Sequence, residues 1–143
     1  MINGIAEQAV LQVFGPLVPQ GLNTVVADEE QEKELSAPVL IIRATENESL
    51  IDPTSGIFKV IIQLTVRLHL AEHAQGFAAE VTQVIDGFAF STENPPKDAL
   101  SAVDGFHCYG FMPMTGTVGV DPEKKTYEYV TQWQLWCMPR NNS

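Results

Sequence analysis

Five short stretches carry residues whose types and spacing could do chemistry. His69-Leu-Ala-Glu72-His73 matches H-x-x-E-H, an inverted zinc-protease pattern. That pattern binds zinc only on a helix, where histidines four apart point at one ion. Here His69 closes a run of strand period and His73 stands at the start of the next helix, so no metal site is expected. His107 and Cys108 are neighbours on an expected strand and face opposite ways, so adjacency does not make them a dyad. Gly116-Thr-Val-Gly119 is a lone glycine pair in a hairpin link, weak ground for a phosphate site. Cys108 and Cys137 are not at metal-ligand spacing; they are expected as partly buried thiols on paired strands, close enough for a bridge. Asp28-Glu29-Glu30-Gln31-Glu32-Lys33-Glu34 packs five acids and one base into seven residues. It reads as a solvated loop or short exposed helix, or as an acidic contact surface for a basic partner. No P-loop, G-x-G-x-x-G or G-x-S-x-G is present, so no cofactor and no enzymatic role are expected.

The composition points the same way. The chain has 143 residues, about one domain, with 45% hydrophobic and 18% charged side chains. So few charges suggest that a partner covers some outer surface. The net charge of −10 argues against a nucleic-acid grip and against an anionic membrane. No apolar run is long enough to span a bilayer. The opening Met-Ile-Asn-Gly-Ile has neither a basic region nor a cleavage site, so secretion is not expected and a reducing cytosol is.

Periodicity supplies the elements. Ile5, Ala9 and Val13 recur at helical spacing, predicting a helix over 4–14 with Asn3 as N-cap and Gly15-Pro16 as stop. Residues 15–38 read as an irregular acidic segment. A strand follows over 39–44, then turn chemistry at 52–56. From Lys59 to Leu70 the even positions are Val60, Ile62, Leu64, Val66, Leu68 and Leu70, which predicts a long strand with one buried face. At roughly 40 Å it should protrude at one end. Phe77, Val81, Val84, Ile85 and Phe88 form one stripe of a second helix over 74–88. A loop follows, with a turn of helix near 99–103. Strands are predicted over 106–112 and 126–138, joined by a hairpin folding near residue 121. The expected fold is α+β, a single domain over 1–143 in the order α-β-β-α-β-β. Its four-stranded, mostly antiparallel sheet should carry both helices on one face. The other face should present Gln63, Thr65, Arg67, Gln132, Gln134 and Trp136.

Order and wording together resemble a family. The run LIIRATENESLIDPTSGIFKVIIQLTVRLHLAEHAQGFAAEVTQVIDGF and the closing YEYVTQWQLWCM resemble the tail terminator (tail completion) proteins of long-tailed bacteriophages. The resemblance spans residues 38–138 and contains no catalytic motif. It implies a homohexamer ring that caps the tail tube, stops its growth and offers a head–tail joining surface. The implied partners are other copies of the chain, the tail tube protein and a neck or connector protein, with genome DNA passing through without specific binding. The implied location is the head-proximal end of the virion tail, after assembly in the host cytoplasm. The 15–38 segment is longer and more acidic than the family pattern. A neck protein of the same virion and an acidic inhibitor that mimics DNA are the rival readings. Subunit or partner contact is expected at Phe111, Met112, Met114 and Trp136, and at Asp28, Glu29, Glu30, Glu32 and Glu34. Six copies would carry about sixty negative charges, and an acidic lumen would repel DNA.

Overall fold

A computed structural model describes residues 2–18, 22–49, 56–69, 83, 96–103, 105–123 and 125–139. The chain is mixed α and β. In order it forms α1 (Ile2–Phe14), a short 3-10 turn (Gly15–Leu17), β1 (Asn23–Val26), α2 (Glu29–Glu34), β2 (Val39–Ser49) and β3 (Phe58–His69). After these come α3 (Pro96–Ser101), β4 (Phe106–Asp121) and β5 (Thr126–Pro139). The stripe predicted as a helix over 74–88 lies outside the described residues, except Gln83, which is helical and exposed. The turn at 52–55 lies outside them too.

The five strands form one sheet in the order β1-β2-β3-β5-β4. Four were expected. The fifth, β1, is a four-residue run inside the segment read as irregular, and it pairs parallel to β2. All other neighbours are antiparallel. The long strand does not protrude as predicted. β2 covers it from Phe58 to Arg67 and β5 from Phe58 to His69, because both neighbours are themselves long.

Alternation along β3 sets the two faces. Val60, Ile62, Leu64, Val66 and Leu68 point to the inner face with Leu40, Ile42, Trp133, Leu135 and Cys137. α1 covers this face with Ala6, Ala9, Val10 and Phe14, and α3 adds Leu100. Asn3 does not cap α1, which begins one residue earlier; its side-chain oxygen instead accepts from Asn47 Nδ2 at 3.0 Å. Glu7 reaches from α1 to accept the Ala44 N–H at 2.9 Å, beside a bulge in β2. Cys108 and Cys137 stand directly opposite one another, both buried as thiols.

Candidate functional site: the outer sheet face

The outer face is built in rows by the same register. Lys59, Trp136 and Gly110 lie side by side; the next rows are Ile61, Gln134 and Met112, then Gln63, Gln132 and Thr115. Farther along come Thr65 beside Val130 and Arg67 beside Glu128. The six residues predicted for this face all lie on it, but Ile61, Val130, Val39 and Ile41 share it, so it is less polar than predicted, and Thr65 itself is buried.

Half of the face is covered. Ala27, Val39 and Ile41 form a small second core with Val25 and Leu35. The acidic stretch folds into α2 over it. Asp28 caps this helix: its carboxylate accepts the Gln31 N–H at 2.8 Å, and Gln31 Oε1 accepts the Asp28 N–H at 3.1 Å. Two arginines from the sheet hold α2 down. Arg67 Nη1 donates to the carbonyls of Glu32 and Leu35, each at 2.8 Å, and Arg67 Nε donates to Glu128 Oε1 at 2.6 Å. A cation at the last carbonyls also matches the negative end of the helix. Arg43 Nε sits 3.3 Å from Glu32 Oε2, close as an ion pair but without hydrogen-bond alignment. Glu29 lies at 4.0 Å from Arg43. The acidic stretch is thus partly neutralised from within. Glu32 is turned to the sheet, whereas Asp28, Glu30 and Glu34 are exposed, as is Glu29.

The other half of the face is almost uncharged, with Ile61 buried and Gln63, Gln132 and Gln134 half-buried. Trp136 is 37% exposed and Met112 50% exposed, the largest apolar groups there. The Trp136 ring lies against Gly110, where an added Cβ would meet Cε3 at 3.3 Å. Tyr109 and Met114, also exposed, occupy the two bulges of β4. His107 and Tyr109 meet edge to face at 4.4 Å. The nearby charges are already engaged, since Lys59 Nζ is 2.9 Å from Glu48.

Of the predicted contact residues, Met112, Met114 and Trp136 are exposed. Phe111 is not: it is buried on the inner face, stacked on Trp133 at 4.8 Å and tilted against Phe14 at 5.8 Å. The physical reason is the bulge at Tyr109. One extra residue reverses which side chains face inward, so Phe111 turns to the core and Met112 to solvent. Arg67 and Arg43 act as a pair of anchors for α2 that no sequence motif marks. Their signal was present as two basic residues at outer-face positions opposite a run of acids.

His69 is exposed at the end of β3, and Glu72 and His73 lie outside the described residues. A cleft of about 280 Å³ opens beside His69, lined also by Lys33, Glu34, Arg67 and Glu128. Its central guanidinium is committed to α2 and Glu128, so the cleft is a seam of the α2 dock. Among the described residues no helix is long and apolar enough to cross a membrane. No family model and no curated protein matches the chain.

Proposed function

We propose that this chain is a non-enzymatic virion assembly protein that caps a phage tail tube as a ring, its partners being its own copies, the tube and a neck protein. The observation that carries the reading is the nearly uncharged half-face on which Met112 and Trp136 are exposed, beside an exposed acidic helix. Methionine and aromatic residues are enriched where protein surfaces meet, and charges are depleted there. In a ring, this half-face would serve as the heterologous contact between neighbours. The exposed carboxylates of Asp28, Glu29, Glu30 and Glu34 would face the lumen or the neck, where they repel DNA.

A head–tail neck protein uses the same two surfaces with a different neighbour. The DNA-mimic reading is weaker, because Glu32 is drawn back to Arg43 and the remaining acids are confined to one turn and a half of helix. The test is negative-stain imaging of purified tail tubes mixed with the chain. The wild-type chain should cap one end of each tube. Met112→Glu, checked for native fold by circular dichroism, should not. Tubes left bare by the wild-type chain would refute the reading.

A further inference from the structure

The hydrogen-bonding phase of the sheet fixes which backbone groups of its edges face outward. In an antiparallel ladder, residues alternate between pairs that exchange hydrogen bonds and pairs whose N–H and C=O point away. Ser101 Oγ takes both the N–H and the C=O of Cys108, each at 2.9 Å, so Cys108 points away from β5. β5 pairs without interruption to β3, so the alternation carries along it. The partners of Leu135, Trp133, Thr131, Tyr129 and Tyr127 on β4 are therefore also outward: Phe111, Pro113, Gly116, Val118 and Val120. The opposite edge agrees with this phase. Ile42 C=O accepts from Ala27 N–H at 3.2 Å, and Ala44 N–H donates to Glu7, both outward from β3.

Most of these edges are closed. β1 pairs with β2, Glu7 occupies Ala44, Ser101 occupies Cys108, and Pro113 has no N–H to offer. The stretch Gly116–Val120 has no such device. Gly116, Thr117, Gly119 and Val120 are exposed, and the stretch carries no charge. Among the described residues nothing pairs with its outward groups.

We infer that Gly116–Val120 pairs antiparallel with the same stretch of a second copy of this chain, about a two-fold axis at Val118. The sequence is self-complementary in that register. Val118 exchanges both hydrogen bonds with its own copy, and Gly116 does so with Val120 of the other chain. Each glycine then faces a β-branched side chain, Gly116 against Val120 and Gly119 against Thr117, so neither face crowds. The acidic α2 docks on Arg67 of β3, two strands from Gly119 or about 10 Å at about 4.8 Å per strand, and the acid next to Gly119 on the ladder, Glu128, is paired with Arg67. At physiological salt that distance exceeds the screening length, so like charge does not prevent pairing. A two-fold contact closes on itself. The pairing does not rest on the virion reading, and either can fail without the other.

The experiment is sedimentation velocity on the full chain across a wide concentration range, with two variants. The wild-type chain should sediment as a monomer–dimer equilibrium. Val118→Pro removes the central donor from both copies and should raise the dissociation constant roughly thirty-fold. Val118→Cys should cross-link to itself under mild oxidation, because facing residues of a hydrogen-bonded pair lie about 5.5 Å apart, within disulfide reach. Val120→Cys should not, since its own copy would stand about 13 Å away along the strand. A folded monomer at every concentration, or a dimer in which Val120→Cys cross-links as readily as Val118→Cys, would overturn the inference.

Discussion

Replacing Arg67 by alanine should loosen the acidic helix from the sheet. The guanidinium is 13% exposed and makes three hydrogen bonds, to Glu128 and to the Glu32 and Leu35 carbonyls. A hydrogen bond to a charged group contributes about 1.5–3 kcal/mol, and breaking a buried pair from one side costs about 3–5 kcal/mol. Glu128 is 33% exposed, so water takes up part of its lost partner and the lower end applies. The expected loss is about 3 kcal/mol, read as a lower urea midpoint with an unchanged slope. For a chain of this length that corresponds to a melting temperature lower by roughly 10 °C. A second readout reports location. Lys33 lies in α2, so trypsin should cut after it much faster in Arg67→Ala than in the wild-type chain under native conditions. Arg67→Lys should rescue little, because an ammonium cannot hold two carbonyls and a carboxylate in one fork. A loss under about 0.5 kcal/mol with unchanged cleavage at Lys33 would refute the claim that Arg67 docks α2.

Three further outcomes follow from the packing. Phe111→Ala should cost about 3–5 kcal/mol while Met112→Ala stays within about 0.5 kcal/mol in urea titration; equal costs would mean the bulge does not set the faces. Burial, helped by the neighbouring Cys108, pushes the Cys137 thiol up from 9.0 to about 12. The unfolded chain then loses this proton first, so stability is whole below about pH 9 and falls by at most about 1.4 kcal/mol per pH unit as pH rises toward 12. Cys137→Ala should lack this part of the alkaline slope, and matching slopes in the two chains would contradict the reading. Gly110→Val should lift the Trp136 ring off β4 and shift its fluorescence to the red, and an unchanged spectrum would show that the ring does not rest there.

The parts of the fold that announced themselves are those with uninterrupted period. Lys59 to His69 alternates without a bulge, and its buried face is as predicted. β5 is legible for the same reason, and Cys108 does meet Cys137 across the hairpin, but β4 is broken by two bulges and runs on to Asp121, well past the predicted 106–112. The failures sit where local pattern is silent or reverses. Asn-Thr-Val-Val is too short to stand out, and its parallel partner β2 is found only through tertiary pairing. α2 has no buried residue and so no apolar stripe; what it has is the Asp28–Gln31 capping box, a spacing that could have been used. The candidate site is split by bulges. Phe111 and Met112 are adjacent apolar residues, and only the extra residue at Tyr109 decides which one meets solvent. Backbone phase along β4 has no sequence signature apart from Pro113.

The most direct test of the assembly role is deletion of the reading frame from the genome that carries it, followed by electron microscopy of the lysate. The account predicts tail tubes of uncontrolled length with no heads attached, restored to uniform length when the chain is supplied in trans. Tails of normal length joined to filled heads in its absence would contradict it.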